Sequence, residues 1–194
     1  MTDHHHAPFA PAAPAAPASV VLVTGIMAAG KSTVAQALAE RLPRSAHVRG
    51  DAFRRMLVSG RADMGADEAG RAEVLEQLRL RHRIAAHTAD LYAEAGWTAI
   101  VQDIVIGEEL PAFVSLVRTR PLYVVVLAPD ASAVAAREEQ RPKTGYGLGW
   151  TPEGMDALLR AETPRIGLWL DSAGLTPAET VEAVMARAGE ARVA

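Results

Sequence analysis

The sequence lacks cysteine altogether and contains only two lysines among its 20 basic residues. The absence of cysteine excludes disulfide bonds, thiolate metal sites and a cysteine nucleophile. Aromatic residues make up only 5% of the chain, and no apolar run approaches the roughly 18 to 20 residues that a membrane helix needs. The net charge of -3 provides no positive excess for binding nucleic acid or an anionic membrane. These absences favour a cytoplasmic protein and disfavour nucleic acid and membranes as partners.

Residues 1–18 consist mainly of alanine and proline. This composition predicts an extended, disordered tail. The segment lacks the basic start and the compact leucine-rich stretch of a secretory signal. Residues 19–194 are long enough for one domain with a full core and short for two. We therefore predict a tail followed by a single folded domain, present as a monomer or a homodimer.

Apolar runs alternate with helical patterns along the rest of the chain. Residues 20–24 form a continuous apolar run that ends at a glycine, which is typical of a strand buried on both faces. Residues 73–95 are the longest stretch with helical spacing of apolar side chains. Alternating strands and helices form parallel sheets that helices cover on both faces. We predict a three-layer α/β/α fold with a five-stranded parallel sheet, with strands at 20–24, 45–51, 97–103, 121–128 and 167–171 and helices at 31–42, 52–60, 73–95, 107–119, 131–141, 151–162 and 176–189.

The stretch GIMAAGKS, residues 25–32, fits the pattern G-x-x-x-x-G-K-[S/T] in full and stands between the first strand and the first helix. Its glycines allow backbone N–H groups to turn inward around phosphate oxygens, and the following helix directs its positive end at the same anion. Lys31 supplies a compact charge that arginine could not replace in a tight loop, and Ser32 supplies a hydroxyl ligand for Mg²⁺. The motif predicts a P-loop NTPase fold and a nucleoside-triphosphate site formed by Gly25, Ile26, Met27, Ala28, Ala29, Gly30, Lys31, Ser32 and Thr33.

A phosphate loop alone is compatible with kinases, hydrolytic switches and motors. The chain is short for a motor and has no N-K-x-D pattern for reading guanine. Arg137 and Arg141 lie four residues apart on one helical face, and Lys143 follows in a glycine-rich stretch. These cations predict a lid near residues 137–150 that closes over transferring phosphates. The alternative is a solvated helix end in which neighbouring glutamates balance the charge.

Several motifs resemble those of the small P-loop kinases of the nucleoside-monophosphate-kinase fold. The resemblance covers residues 19 to about 188 and is greatest with the chloramphenicol phosphotransferase-like branch; shikimate, gluconate and adenylylsulfate kinases are more distantly similar. It implies ATP as phosphate donor, Mg²⁺ as metal, and a lid arginine, Arg137 or Arg141, that reaches the γ-phosphate. The segments that carry it are GIMAAGKST, VRGDAFRR after the second strand, REEQR in the lid, and LWLDSAGLTPAET.

Two aspartates follow predicted strands at the edge of the sheet that carries the phosphate loop. The resemblance implies that Asp51 faces the acceptor hydroxyl and acts as the base, and a carboxylate there can orient a hydroxyl and take its proton. The alternative role for Asp51 is that of a helix N-cap. Asp103 resembles the Walker B carboxylate that holds Mg²⁺; it could instead contact the acceptor, as could Gln102, or merely end the strand.

The predicted function is an ATP- and Mg²⁺-dependent phosphotransferase that moves the γ-phosphate to a hydroxyl of a small molecule, an antibiotic or a metabolite. Lys31, Asp51, Arg137 and Arg141 are the candidate catalytic residues, with Ser32 and Asp103 the candidate metal ligands. One alternative is a nucleotide-binding regulatory protein without transfer. Another is a polynucleotide 5′-hydroxyl kinase with a local basic patch at Arg79, Arg81 and Arg83, which otherwise form a solvated helix face.

Overall fold

The apolar runs of the sequence pair into one parallel sheet in the computed structural model, which describes residues 18–62, 68–140, 146 and 150–194. The strands are β1 (Val20–Thr24), β2 (Ser45–Arg49), β3 (Thr98–Gln102), β4 (Leu122–Leu127) and β5 (Leu168–Leu170). They lie in the order β2-β3-β1-β4-β5, and all pairs are parallel. Every residue of β1 is buried, because strands flank it on both sides. The predicted five-stranded parallel sheet is thereby confirmed.

Helices flank this sheet as the predicted three-layer fold requires. Helix α1 packs against α7 and the strands β1, β2 and β3, whereas α3 packs against α4 and the same three strands. The core between these layers is aliphatic, and Phe113 is its largest fully buried side chain. The described helices are α1 (Lys31–Glu40), α2 (Gly50–Arg55), α3 (Glu68–Glu94), α4 (Glu109–Leu116), α5 (Ala131–Glu139), α6 (Pro152–Glu162), α7 (Pro177–Ala186) and α8 (Ala188–Ala191).

Threonine–proline pairs fix the starts of two helices. Thr176 and Glu179 form a reciprocal capping box at the start of α7, in which each side chain accepts a hydrogen bond from the other residue's backbone N–H. Thr151 caps α6 by accepting from the backbone N–H of Gly154. Proline follows each threonine, where its missing N–H has no cost. These caps fix the residues at which α6 and α7 begin.

The segment after β2 departs from its predicted structure. The predicted strand extended to residue 51, but β2 ends at Arg49 and the helix begins at Gly50. The predicted helix at 52–60 is also wrong beyond residue 56: Leu57–Gly60 is irregular, and Val58 is 97% exposed. Met56 and Val58 are exposed and have no core to pack against. The short α8, which leads to a bridge between Tyr123 and Arg192, was not predicted.

Much of the predicted lid lies outside the described residues, including Arg141 and Lys143. Arg137 lies within the described part, in the last turn of α5. Although α3 has 27 residues, none of the helices within the described ranges combines the length and the apolar character needed to cross a bilayer.

Candidate nucleotide-binding site

The carboxyl ends of the parallel strands meet at one edge of the sheet, and a cavity of about 590 Å³ opens there. The cavity is lined by the phosphate loop at residues 27–33, the end of β3, the first turn of α2, Arg81 of α3, Arg137 of α5 and the start of α7. Because β1 neighbours both β3 and β4, the sheet order reverses at this point, where ligands bind in open α/β sheets. The fold therefore brings the predicted loop and both predicted aspartates to one place.

Backbone geometry shapes the phosphate loop. Gly25 has a φ of 142°, and a side chain there would overlap the carbonyl of Leu127 on β4. Gly30 has a φ of 94° at the N-cap of α1. Ala28 adopts a φ of 59°, which is uncommon for a residue other than glycine. The loop therefore turns back on itself before α1, and the first-turn N–H groups of α1 lack carbonyl partners within the helix.

Lys31 lies at the start of α1 with only 7% of its surface exposed. Its Nζ donates a hydrogen bond to the carbonyl of Ile26 at 2.6 Å, across the loop. The ammonium group and the positive end of the α1 dipole thus share one wall of the cavity. This wall is suited to binding a polyanion.

Arg137 joins the phosphate loop to the β5–α7 connection. Its Nη2 donates to the carbonyl of Ser172 at 2.6 Å and to that of Ala173 at 3.3 Å, and its Nη1 donates to the carbonyl of Ala29 at 3.4 Å. Tyr146 reaches the same loop from the lid region, where its hydroxyl donates to the carbonyl of Met27 at 2.8 Å. The predicted lid arginine therefore lies beside the loop, in contact with backbone oxygens.

The two polar residues that follow one another at the end of β3 contact different elements. Ser32 Oγ donates to Gln102 Oε1 at 3.1 Å. Asp103 Oδ1 instead accepts from the backbone N–H of Ile104 at 2.8 Å and pairs with Arg81 Nη2 at 2.7 Å. Successive side chains of a strand point to opposite sides, so the residue beside the predicted metal ligand Ser32 is Gln102.

Asp103 is buried, with 3% of its surface exposed. Its Oδ2 has no hydrogen-bond partner among the described residues and lies against Gly50, where a Cβ would overlap the carboxylate. His82 Nε2 is 4.0 Å from the same oxygen and 3.1 Å from the carbonyl of Ile104. Burial lowers the pKa of His82, although attraction to Asp103 acts in the opposite direction. Arg81 is thus the close countercharge of Asp103.

Asp51 lines the cavity from the first turn of α2. Its Oδ2 pairs with Arg55 Nη1 at 2.6 Å, and its Oδ1 is 3.7 Å from Arg49 Nε. The N-cap position belongs to Arg49, so the alternative role of Asp51 as N-cap is wrong. The Asp51 side chain is 43% exposed, but its Oδ1 is buried and has no hydrogen-bond partner among the described residues. Arg55 thus holds Asp51 through this ion pair.

Arg81 and His82 are the residues of this region that sequence reasoning missed. The sequence favoured a solvated face for the basic run of α3, but the Arg81 side chain is only 13% exposed and His82 is buried. Their shared partner Asp103 is more than 20 positions away in the chain, so no local pattern identifies the contact. The available signal was a histidine among the arginines of an otherwise exposed run.

The donor set at the cavity fits a nucleotide with Mg²⁺. Ser32 offers a hydroxyl beside Lys31, and Asp103 has a buried carboxylate oxygen without a hydrogen-bond partner. Within the described ranges no three His, Cys, Asp or Glu side chains converge on one point. Mg²⁺ usually keeps several waters and binds one or two carboxylates plus substrate phosphates, so the sparse protein donors suit a metal that arrives with the nucleotide.

Comparison with known families agrees with this geometry. Residues 20–151 match the family model described as an AAA domain. The chain belongs to this P-loop family. No curated protein matches the chain. The more specific resemblance to the chloramphenicol phosphotransferase-like branch stays a prediction.

Solved structures with the same fold include several kinases. A sugar kinase from Janibacter sp. is 19% identical, with a TM-score of 0.64 and coverage of 90% of this chain and 96% of that chain. The tunicamycin resistance protein of Deinococcus radiodurans is 20% identical, with a TM-score of 0.62 and coverage of 91% and 99%. A gluconokinase from Sinorhizobium meliloti is 20% identical, with a TM-score of 0.58 and coverage of 89% and 92%. At these identities the likeness shows the fold.

Proposed function

We propose that this protein is an ATP- and Mg²⁺-dependent kinase that phosphorylates a hydroxyl group of a small molecule. One observation carries the proposal: a single cavity is lined by Lys31 and Ser32 of the phosphate loop and by Asp51, whose Oδ1 has no hydrogen-bond partner among the described residues. A hydrolytic switch needs room only for a water molecule beside the γ-phosphate. A cavity of about 590 Å³ with a carboxylate in its lining has room for an organic molecule that carries a hydroxyl group. The kinases among the structures that share the fold support the same reaction class.

Each side chain has a role that follows from its position. The phosphate loop and the positive end of α1 would hold the β- and γ-phosphates, and Lys31 would neutralise charge that develops on the transferring group. The acceptor oxygen would form a bond to the γ-phosphorus as the bond to the β–γ bridging oxygen breaks and ADP leaves. Asp51, held by Arg55, would orient the acceptor hydroxyl and receive its proton. Arg137 would turn from its carbonyl partners towards the phosphates. Arg141 would act with it as a second cation, because the two residues lie four positions apart in the sequence.

Mg²⁺ fits the same wall of the cavity. Ser32 would supply a hydroxyl oxygen, and Asp103 is the carboxylate that the sequence suggested for the metal. When bound, Mg²⁺ neutralises phosphate charge and helps to align the γ-phosphate. The resemblance to small-molecule kinases also favours ATP over GTP as the donor and a location in the cytoplasm.

The acceptor class follows from the charges around the cavity. Asp51 pairs with Arg55 and lies 3.7 Å from Arg49, and Asp103 pairs with Arg81, so these groups together leave a single positive charge in excess. This environment suits a neutral or weakly charged hydroxylated molecule, either an antibiotic or a sugar-like metabolite. The tunicamycin resistance protein and the gluconokinase, which share the fold, are consistent with both.

The test is to incubate the protein with MgATP and a pool of hydroxyl-bearing antibiotics, sugars and nucleosides, and to search by mass spectrometry for a molecule that gains one phosphate. We expect Lys31→Met and Asp51→Asn each to reduce the initial rate by at least about 100-fold, as loss of an electrostatic or acid–base group does. Arg41→Met and Glu182→Gln are matched controls, since this exposed pair lies at the far end of α1.

Other outcomes identify the alternatives. Tight ATP binding without any transfer, and without an effect of Asp51→Asn, would indicate a regulatory protein. Phosphorylation of oligonucleotide 5′-hydroxyls would indicate a polynucleotide kinase. The structure gives that alternative little support, because Arg79 pairs with Glu76 and Glu109, and Arg81 pairs with Asp103, which reduces the predicted basic patch.

A further inference from the structure

The end of β3 presents an amide, not a carboxylate, to the phosphate loop. Gln102 is 6% exposed, and its Oε1 accepts the Ser32 hydroxyl hydrogen at 3.1 Å. A serine that donates its hydrogen in this way keeps its oxygen lone pairs available for another partner. The next residue, Asp103, points instead to Arg81 and Gly50. The two polar residues are therefore divided between the two sides of the cavity.

We propose that Gln102 is the positioning residue for the Mg²⁺-binding hydroxyl of Ser32, and that Asp103 belongs to the acceptor side. The inference rests on the proposed function, because it needs a nucleotide and Mg²⁺ at the phosphate loop. The sequence suggested Asp103 as the residue on the metal side of the cavity, and this inference assigns that role to Gln102. Asp103 is already held by Arg81 at 2.7 Å and by the backbone of Ile104, whereas the Ser32 hydroxyl donates its hydrogen bond to Gln102.

A neutral positioning residue has a consequence for how the metal is held. A carboxylate beside Ser32 would add a negative charge and attract Mg²⁺ by itself. An amide orients the hydroxyl without this charge, so most of the negative charge that holds the ion must come from the nucleotide phosphates. The protein should therefore have little affinity for Mg²⁺ alone and should bind the ion and the nucleotide together.

The experiment measures the dissociation constant of a fluorescent ADP analogue with Mg²⁺ and with EDTA. The quantity of interest is the ratio between the two constants. Gln102→Met keeps the size of the side chain but removes the amide oxygen that accepts the Ser32 hydrogen bond. For this variant we expect the ratio, which is the Mg²⁺-dependent gain in nucleotide affinity, to fall roughly tenfold, as for other residues that orient metal ligands. The constant in EDTA should stay unchanged. Gln102→Glu can only accept, so it should keep or increase the gain.

Gln36→Met is the matched control, because Gln36 lies on the exposed side of α1 and contacts His47 and Glu40. Thermal melting of each variant without nucleotide separates loss of folding from loss of metal coupling, and the Gln102→Glu variant tests the inference even if Gln102→Met does not fold. Asp103→Asn should reduce the Mg²⁺-dependent gain less than Gln102→Met does.

Each remaining outcome has a definite meaning. An unchanged gain in Gln102→Met, or a gain abolished only by Asp103→Asn, would overturn the inference while nucleotide binding stands. No binding of nucleotide by the wild type under either condition would overturn both the inference and the proposed function. A gain that depends on Gln102 in a protein that transfers no phosphate would support the inference and remove the kinase proposal.

Discussion

Gly50 is a residue beside the cavity at which one added methyl group would overlap a buried charged side chain. It stands in the first turn of α2, and a Cβ there would overlap the buried carboxylate of Asp103. Asp103 in turn holds Arg81 and lies beside His82. Glycine at this position therefore allows α2 to approach the end of β3 closely enough for Asp51 to share the cavity.

Gly50→Ala should lower the free energy of unfolding by about 1–3 kcal/mol, as overpacking of a tight contact does. A decrease in stability would be informative, because glycine-to-alanine changes inside helices usually raise the free energy of unfolding by roughly 0.5–1 kcal/mol. Urea unfolding followed by circular dichroism measures the change. Gly189→Ala in α8 is the control, since a Cβ there meets open space. A stabilised Gly50→Ala variant would show that the Asp103 carboxylate can move aside.

At the scale of elements, α3 is tied to the loop between α4 and β4 by one buried carboxylate. Asp90 is 1% exposed and accepts hydrogen bonds from the backbone N–H groups of Arg118 and Thr119 and from the Thr119 hydroxyl. Burial alone would raise the pKa of Asp90, but these hydrogen bonds and the charge of Arg118 outweigh it and lower the pKa. The helix that carries Arg81 is therefore fixed through its C-terminal half.

Asp90→Asn should cost about 1.5–3 kcal/mol of stability, as for a lost hydrogen bond to a charged group. The pH dependence has a definite sign. Because the pKa of Asp90 is lower in the folded state, its contribution is present above the ordinary carboxyl pKa and is lost as the pH falls through the lowered value. Urea midpoints measured from neutral to acidic pH should therefore fall less steeply for Asp90→Asn than for the wild type.

Glu76→Gln provides the matched control for this prediction, because Glu76 lies on the same helix and its side chain is 68% exposed. The control should keep the wild-type stability and pH profile. Equal pH profiles for the wild type and Asp90→Asn would contradict the assigned role of Asp90.

How well the sequence predicted each element depended on whether its signal was local. The strands were predicted because uninterrupted apolar runs are dictated by burial on both faces, and the phosphate loop because its glycines, lysine and serine are consecutive. The end of α2 was wrong because the predicted helix was extended to Gly60, whereas the exposure of Met56 and Val58 depends on distant parts of the fold that the local sequence does not show. The Arg81–Asp103 and Ser32–Gln102 contacts join distant segments, so no pattern within either segment predicts them.

At the scale of the whole molecule, a ligand that binds only the folded state raises its stability by mass action. At a nucleotide concentration of about 100 times the dissociation constant the gain is about 2.7 kcal/mol, which for a chain of this size raises Tm by roughly 5–10 °C. We expect this shift with MgATP and none with Lys31→Met, because Lys31 lines the phosphate wall of the cavity. Differential scanning fluorimetry measures it.

Adenosine is the matched ligand control for this prediction, since it has no phosphates for the loop to bind. It should leave Tm close to the unliganded value, and Arg41→Met should retain the full response to MgATP. A shift with adenosine as large as that with MgATP would place the main binding energy outside the phosphate loop.

The central position of β1 has a further consequence for how such a protein changes over evolutionary time. The phosphate loop continues directly from a strand with a partner on each side, whereas α2 gives way to the irregular residues 57–60, of which 58–60 are exposed. Substitutions in the phosphate loop disturb the sheet, whereas those at the exposed residues 58–60 disturb few packed neighbours. We therefore expect the phosphate donor to stay fixed while the acceptor drifts, so that descendants of one ancestral chain could come to modify chemically different molecules.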